Sequence, residues 1–364
     1  MKLRVGLIGL GDHWDSRHRP SLKALSAKYD VRAICCEIAA KSASVAAEFD
    51  AVPIDGFRAM IERDDIDAIL TLAPDWVGPL PIIAACDAGK AVYSSAALDI
   101  SPAQARDIRQ RVVSSGVAFM AEFPRRYAPA TIRLKELLAT RLGNPRLLFC
   151  HQRLPVESQA NARRRGEHCP LVWRNLMEQV DWCRYLVNEE PVSVSSAGYK
   201  QHGSQSVDAF YQMVSLEFPE LTSGGTGAAE VAATNGEECR NGAGLDQPSR
   251  PMAQISIGHY IPDRWSEALA YRRPSSIQVS CENGVAFIDL PSTLVWFDDA
   301  GQHVERLESE QTVGERMLDH FYRAVTSLIR RTTDLEDAYR ALRIVQAADE
   351  SAHSGRRINL TDRE

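Results

Sequence analysis

The chain has 364 residues, enough for two domains that each bury a core of their own. Apolar residues make up 45% and charged residues 25% of the chain, which is typical of globular proteins. The net charge of −6 argues against nucleic acid or an anionic membrane surface as the main partner, and no apolar run approaches the ~18 residues of a membrane span.

The start of the sequence and the cysteines predict a cytoplasmic protein. The first residues, MKLRVGLIGLGDH, have a basic tip, but the apolar run is too short for a signal-peptide core and ends at Asp12. The eight cysteines contain no C-x-x-C pair, and several lie in apolar strands, where cysteine packs as a small hydrophobe. We therefore expect neither a metal site nor a disulfide framework.

A glycine turn follows the first apolar run, in LRVGLIGLGDHW at residues 3–14. An apolar run closed by Gly9 and Gly11 is typical of a buried parallel strand that enters a tight turn. There a backbone without Cβ lets a pyrophosphate approach the amides that open the next helix. Trp14 replaces the third glycine of G-x-G-x-x-G, which predicts a wider loop and a helix delayed to about Pro20. A plain strand–turn–helix connection without a dinucleotide is the alternative.

The second strand, residues 31–36, ends in Cys35-Cys36-Glu37. In a dinucleotide-binding fold an acidic residue at this position accepts hydrogen bonds from the ribose hydroxyls. Glu37 in that role would repel a 2′-phosphate, so NAD is favoured over NADP. The alternative is that Glu37 is a surface residue before the helix at 39–48.

Strands and helices alternate up to about residue 122. Apolar strands are predicted at 66–73, 91–94 and 117–123, and a helix at 79–88 that is closed by Gly89. A further helix begins at Pro102, with Ser101 as its N-cap, Gln104 as the capping-box partner and Gly116 after its end. This alternation predicts an α/β fold with a Rossmann, doubly wound parallel sheet over residues 1–122.

The pattern changes in residues 123–364, which we predict as a second domain. Helices are expected at 129–141 and 170–187, with a strand between them at 146–152. Successive strands without helices between 191 and 298 predict a large open, mostly antiparallel sheet, and the Gly-, Asn- and Ser-rich residues 219–251 predict a loop. Closing helices are predicted at 315–330 and 334–354, and the last can pack back on the first domain.

Taken together, these segments resemble the Gfo/Idh/MocA oxidoreductases over nearly the whole chain. The similar stretches are VGLIGLG at 5–11, VRAICCEIAAKSASVAAEF at 31–49, IDAILTLAPDWVGPLPIIAACDAGKAVYSS at 66–95, FMAEFPRRYAPA at 119–130 and DAYRALRIVQAADESAHSGRRINL at 337–360. The resemblance implies an NAD(P)-binding domain followed by an α/β domain with an open sheet. It also implies a dehydrogenase acting on a sugar, a polyol or a related hydroxyl compound, assembled as a homodimer or homotetramer through that sheet.

The resemblance also implies where the cofactor lies. Contacts are expected from the glycine turn and from the ends of the following strands: Gly9, Leu10, Gly11, Asp12, His13, Trp14, Cys36, Glu37, Ala73, Pro74, Asp75, Trp76 and Ser95. Cys36 falls where the family often has its ribose aspartate, which competes with Glu37 for that role. Trp76 is expected to flank the cofactor or, equally, to belong to the core.

Two departures from the family concern its catalytic residues. The family usually has Glu-Lys-Pro where this chain has Ser95-Ala96-Ala97, so the lysine that touches nicotinamide and substrate is absent. On the helix at 170–187, Asp181 matches a family aspartate, and Glu178 stands where the family has its acid/base histidine. Glu178 is therefore the candidate general base.

Helical spacing places the candidate catalytic residues Arg174, Glu178 and Asp181 on one face with Tyr185. Spacing alone is more typical of a surface helix with ordinary charge pairs, whereas the resemblance directs this face into the cleft. Partial burial beside Asp181 would raise the pKa of Glu178 towards a useful range, and Arg174 would oppose it.

Arginines are the candidate substrate ligands, because a guanidinium binds a carboxylate or phosphate in a fork. Arg125 and Arg126 lie in the crossover, Arg163-Arg164-Arg165 in a loop, and we assign Arg126, Arg164 and Tyr185 to the substrate. A solvated surface is the alternative for the arginine run. The rival function is a non-catalytic dinucleotide- or sugar-binding protein, since fold alone does not decide activity. Use of bound NAD as a permanent redox aid for elimination or hydrolysis has no support in the residues.

Overall fold

A computed structural model describes residues 2–95, 98, 100–155, 171–201, 209–221, 250–327 and 333–361. Two sheets organise this part of the chain, one with six strands and one with nine. Among the described residues, no helix is both long enough and apolar enough to cross a membrane. The predicted loop at 219–251 falls almost wholly on residues 222–249, which lie outside the described part.

The first sheet is parallel throughout. Its strands are β1 (Leu3–Ile8), β2 (Tyr29–Cys35), β3 (Val52–Pro53), β4 (Ala68–Thr71), β5 (Ala91–Ser94) and β6 (Phe119–Ala121). Their order is β3-β2-β1-β4-β5-β6, so the direction of strand addition reverses between β1 and β4. Ligands of such sheets bind at the carboxyl ends of the strands at this reversal, which is where the glycine turn lies.

Helices connect these strands, and the sequence predicts four of the six. They are α1 (Arg19–Ala24), α2 (Ala39–Phe49), α3 (Phe57–Ile61), α4 (Pro74–Val77), α5 (Leu80–Asp87) and α6 (Pro102–Ser115). The predicted capping box of α6 is formed: the Gln104 amide donates to Ser101 Oγ at 3.3 Å, and the Ser101 amide donates to Gln104 Oε1 at 3.2 Å. Gly116 ends the helix in the left-handed conformation, with φ +63°.

The loop between β1 and α1 is wide because Trp14 stands where the fingerprint has glycine. A π-helical turn, Trp14–His18, precedes α1. The Trp14 side chain is 2% exposed and packs 6.0 Å from the Phe49 ring, centroid to centroid. Its amide donates to the Gly11 carbonyl. The side chain is therefore a core residue, which corrects the expectation that it contacts the cofactor.

The second sheet is mostly antiparallel, as predicted. Its strands are β7 (Pro145–Pro155), β8 (Ser193–Gln201), β9 (Ala209–Glu217), β10 (Met252–Ile261), β11 (Ile277–Cys281), β12 (Gly284–Asp289), β13 (Thr293–Asp298), β14 (Gly301–Arg306) and β15 (Ile358–Asn359). The order is β14-β13-β12-β11-β7-β10-β9-β8-β15, and β7 pairs with β10 in parallel.

One face of this sheet is covered and the other is open. The remaining helices are α7 (Pro129–Leu137, continued by a π-helical turn Leu138–Leu142), α8 (Leu171–Val187), α9 (Glu267–Ala270), α10 (Val313–Thr326) and α11 (Thr333–Ser354); short 3-10 turns lie at Pro124–Tyr127 and Asp263–Trp265. Helix α8 buries Leu176, Val180 and Cys183 in the core that the sheet shares. The opposite face leaves Leu147 and Phe149 42% and 38% exposed.

The end of the chain packs on both domains. Met317, Leu318 and Phe321 of α10 join the core of the first sheet, where Phe321 lies 5.4 Å from Tyr93, centroid to centroid. Helix α11 contacts α6 and β6 as well as α8 and β8. The first sheet ends at Ala121, beside the predicted domain boundary, and the closing helices hold the two sheets on either side of a cleft.

Candidate active site

The glycine turn has the shape and the free donors that a pyrophosphate requires. Gly9 has φ +79°, and a Cβ there would lie 2.4 Å from Ala73 Cβ. A Cβ on Gly11 would lie 2.2 Å from the Leu72 carbonyl oxygen. Among the described residues, the amides of Gly11, Asp12 and His13 donate to no protein acceptor. The turn packs closely against β4, and its free amides can donate to a bound ligand. Such a turn fits the phosphates of a dinucleotide.

The other expected cofactor residues surround this turn. Glu37 is exposed at the end of β2, and the neighbouring Cys36 thiol donates to the Ile38 carbonyl at 3.1 Å. Lys41 Nζ lies 3.4 Å from the Leu10 carbonyl oxygen, so a positive charge also stands beside the turn. Trp76 is 39% exposed after β4, which excludes the core alternative for this residue.

The remaining expected contacts follow β4 and β5. Ala73 touches the glycine turn, and the backbone of Pro74 and Asp75 begins α4. The Ser95 amide donates to the Thr71 carbonyl at 2.9 Å, which joins the ends of β5 and β4. Ala96, where the family lysine is missing, lies outside the described residues. The described residues of this set thus lie at one edge of the sheet, beside the glycine turn.

A buried carboxylate fixes the π-helical turn to the sheet. Glu122 is 2% exposed and accepts hydrogen bonds from Arg17 Nη1 at 2.7 Å, Tyr93 Oη at 2.6 Å and His18 Nε2 at 2.5 Å. Burial alone would raise the pKa of Glu122, but the bonds and charges of His18 and Arg17 outweigh it and hold that pKa below its ordinary value. The sequence analysis missed this cluster.

A cavity of about 520 Å³ lies in the cleft between the π-helical turn and the second sheet. Its volume is within the range of small-molecule sites, roughly 300–1,000 Å³. Polar side chains from both domains and from α8 line it, among them Arg17, Arg125, His151, Arg153, Glu178 and Arg273. Of the three predicted catalytic residues, Glu178 is the one that lines this cavity.

Glu178 is paired with the crossover segment. Arg125 Nε lies 3.4 Å from Glu178 Oε2, and the side chain of Glu178 is 26% exposed. The same guanidinium donates to Gln152 Oε1 at 3.2 Å and lies 5.2 Å from the Trp182 ring. Arg125 is therefore the charged neighbour of Glu178, the position that the sequence predicted for Arg174. Arg174 lies one turn earlier on α8.

Asp181 is buried on the far side of the crossover, which corrects its predicted catalytic role. Arg126 Nε donates to Asp181 Oδ2 at 2.6 Å and Arg126 Nη2 donates to Oδ1, while Arg126 Nη1 donates to Asp337 Oδ2 at 2.7 Å. Burial raises the pKa of Asp181 to about 6, against the attraction of Arg126. Arg126 and Asp181 satisfy each other and do not line the cavity. They join the crossover, α8 and α11.

Tyr185 packs against Arg126 in the domain junction and does not line the cavity. Its ring lies 5.2 Å from the Arg126 guanidinium and 5.0 Å from Lys135 Nζ. The predicted substrate roles of Arg126 and Tyr185 are thus replaced by positions in the domain junction. The third predicted substrate ligand, Arg164, lies outside the described residues.

His13 and Glu178 influence each other across the cleft. Partial burial and the positive charge of Arg17 lower the pKa of His13, whereas Glu122 and Glu178 act in the opposite direction. His13 is therefore neutral at neutral pH. An expected cofactor residue and the candidate base are near enough to interact, so the glycine turn and α8 face the same space.

The sequence analysis missed part of the cavity wall. His151 and Arg153 alternate on β7, and this period of two could have indicated a shared face of the strand. Arg273 follows α9, where the sequence carries no distinguishing pattern. Within the described ranges, no group of His, Cys, Asp and Glu is arranged to hold a metal ion.

Comparisons with known proteins agree with this architecture. Residues 3–123 match the model of the Gfo/Idh/MocA family, described as an oxidoreductase family with an NAD-binding Rossmann fold. A search of curated proteins gives no match. The chain is similar to a solved oxidoreductase from Thermotoga maritima, with a TM-score of 0.76, 14% identity and 100% and 99% of the two chains covered.

Two further similar structures have more specific names. An aldose-aldose oxidoreductase from Caulobacter crescentus, complexed with glycerol, has a TM-score of 0.75 and 16% identity over 99% of this chain and 100% of that chain. A UDP-N-acetylglucosamine 3-dehydrogenase from Acidithiobacillus ferrooxidans has a TM-score of 0.71 and 15% identity over 97% and 99%. At such identities the likeness establishes the fold along the whole chain. The family match itself covers residues 3–123, the first domain.

Proposed function

We propose that the protein is an NAD(P)-dependent dehydrogenase of a sugar, a polyol or a related hydroxyl compound, with Glu178 as its general base. The observation that carries this proposal is the position of Glu178. Glu178 lines a cavity of about 520 Å³ together with Arg17 of the π-helical turn, which follows the glycine turn. A carboxylate so placed can reach a substrate held between the two domains.

The chemistry requires separate acceptors for a proton and a hydride. A bound nicotinamide would supply the hydride acceptor. Glu178 takes the hydroxyl proton as the carbinol becomes a carbonyl, and Arg125 lies at ion-pair distance from its carboxylate, 3.4 Å. Holding the reacting carbon in this arrangement is the main contribution of the fold.

The names of the similar structures support a carbohydrate-like substrate, since they include an aldose-aldose oxidoreductase and a UDP-N-acetylglucosamine dehydrogenase. Glu37 at the end of β2 supports NAD over NADP. The exposed apolar face of the second sheet supports a homodimer or homotetramer that covers it.

A non-catalytic dinucleotide- or sugar-binding protein is the second candidate, favoured by the Arg125–Glu178 ion pair. That pair engages the carboxylate that the first proposal uses as a base. The sequence also has alanine at position 96, where the family lysine is expected. In this role the cavity would bind its ligand without converting it.

Spectroscopy of the cofactor distinguishes the two candidates. Purified protein is mixed with NAD and with each member of a panel of sugars, polyols and sugar acids, and the absorbance of reduced nicotinamide is followed. Reduction that depends on one class of compound supports the dehydrogenase. Binding of NAD and of a sugar in calorimetry, without reduction across the panel, supports the binding protein. Absence of binding of both NAD and NADP contradicts the dehydrogenase, and absence of sugar binding as well contradicts both candidates.

A further inference from the structure

The cavity wall carries four arginines, and two of them are balanced by carboxylates. Arg17 is paired with the buried Glu122 at 2.7 Å. Arg125 is paired with Glu178 at 3.4 Å. Each of these two ion pairs has a net charge close to zero. The net charge of the cavity therefore depends on the other two arginines, Arg153 and Arg273.

Arg153 has neutral partners. Its Nε donates to His151 Nε2 at 3.3 Å, and its Nη1 donates to the Tyr271 carbonyl at 3.0 Å. Burial and the charge of Arg153 lower the pKa of His151, so the imidazole stays neutral. Glu267 lies near Arg153 on the neighbouring surface but forms no ion pair with it. Within the described ranges, no carboxylate neutralises Arg153.

Arg273 brings a second positive charge to the same wall. It is exposed and lies two residues after Tyr271, whose carbonyl Arg153 binds. No described carboxylate is within ion-pair distance of its guanidinium. Two guanidinium groups that no described carboxylate neutralises thus border the cavity of a protein whose overall net charge is −6. A local charge opposite to that of the whole molecule indicates selection for an anionic ligand.

We propose that the substrate carries an anionic group, a carboxylate or a phosphate, which Arg153 and Arg273 bind while its reacting hydroxyl faces Glu178. This inference rests on the proposed function and narrows its substrate class. Guanidinium groups bind both kinds of oxyanion through charge-assisted hydrogen bonds, about twice as strong as neutral ones. Glu178 repels an anion, so the charges of the cavity wall also orient the molecule.

Equilibrium binding tests the proposal without reference to turnover. Wild-type protein saturated with NAD is titrated by calorimetry with D-gluconate, D-glucose 6-phosphate and D-glucose. We expect at least one of the two anionic compounds to bind tenfold more tightly than glucose, a difference of about 1.4 kcal/mol. Preference for gluconate identifies a carboxylate, and preference for the phosphate ester identifies a phosphate. Affinities for all three within about threefold of one another overturn the proposal.

Variants locate the anion. Arg273→Gln and Arg153→Gln should each weaken binding of the preferred anion about tenfold and leave glucose and NAD affinities unchanged. Arg106→Gln, which removes an exposed arginine of α6 outside the cavity, is the matched control. Arg273 is exposed, so its replacement does not endanger folding. Unchanged anion affinity in Arg273→Gln would overturn the assignment. Anion binding that needs these arginines, without reduction of NAD, supports the inference while contradicting the dehydrogenase.

Discussion

At the scale of single residues, the adjacent Arg125 and Arg126 have different partners. The 3-10 turn at Pro124–Tyr127 directs Arg125 to Glu178 and Arg126 to Asp181, two carboxylates on one helix. The sequence indicated the arginines and the carboxylates but not their pairing, because the pairing depends on the conformation of the crossover. The consequence is a division of roles: Glu178 borders the cavity, and Asp181 is buried in the domain junction.

Replacing Asp181 should therefore affect stability rather than binding. Asp181→Asn removes the buried carboxylate shared by Arg126 and Arg184 and leaves them the partly exposed Asp337, so we expect the free energy of unfolding to fall by about 2 kcal/mol. Urea denaturation measures this change, and calorimetry should show unchanged NAD affinity. The control Glu178→Gln removes the half-exposed carboxylate and should cost less than about 1 kcal/mol. Equal stability losses in the two variants would contradict the division of roles.

Cofactor preference also depends on single residues. Glu37 disfavours a 2′-phosphate, whereas Lys41 beside Leu10 could attract one. We expect the wild-type protein to bind NAD more tightly than NADP, and Glu37→Gln to reduce that preference at least tenfold. Fluorescence titration with both cofactors measures it, and Lys41→Gln is the matched variant. Tighter binding of NADP by the wild type would show that Lys41, not Glu37, governs the ribose site.

At the scale of elements, the π-helical turn Trp14–His18 shows where local sequence stops being informative. Trp14 in place of glycine correctly predicted a widened connection before α1. Its burial against Phe49 could not be predicted, because α2 lies outside the fingerprint. The same holds for Glu122, whose donors Arg17 and His18 are more than a hundred residues away. Capping and alternation are local and were predicted; polar clusters that join distant segments were not.

The Glu122 cluster should make stability depend on pH. Because its partners lower the pKa of Glu122 in the folded state, the ionised form stabilises the fold above the ordinary value of 4.5. This stabilisation is lost as the pH falls through the folded-state pKa. We expect Glu122→Gln to be less stable than the wild type by about 3 kcal/mol at pH 7, and the difference to shrink in acid. Urea unfolding at several pH values measures it; a difference independent of pH would contradict this role.

At the scale of the whole molecule, the sequence predicted both sheets and most of their longer strands and helices, whereas β3, α3, α4, β14 and β15 were not predicted. Hydrophobic periodicity and turns carry that information locally. The packing of α10 on the first sheet was not predicted, since nothing within Val313–Thr326 specifies which core receives its apolar face. The cleft is formed by this long-range packing, so the sequence alone did not predict that Arg153 and Arg273 line the cavity.

The open face of the second sheet should mediate self-association. Phe149 is 38% exposed at the centre of the sheet, and Leu147 lies beside it on β7. We expect the wild type to be a dimer or tetramer in sedimentation experiments and Phe149→Asp to dissociate it, because burying an unpaired carboxylate is unfavourable. Val113→Asp, at an exposed apolar site on α6, is the control. A monomeric wild type, or an intact oligomer in Phe149→Asp, would contradict this assembly.

The central claim is that Glu178 is the base of a dehydrogenase. The measurement that tests it most directly is the rate of nicotinamide reduction by Glu178→Gln with the best substrate of the panel, with Glu189→Gln, an exposed site just after α8, as the control. The account predicts a fall of roughly 10²–10⁴ in turnover for Glu178→Gln, with NAD affinity unchanged and Glu189→Gln active. Turnover within about threefold of the wild type would contradict it.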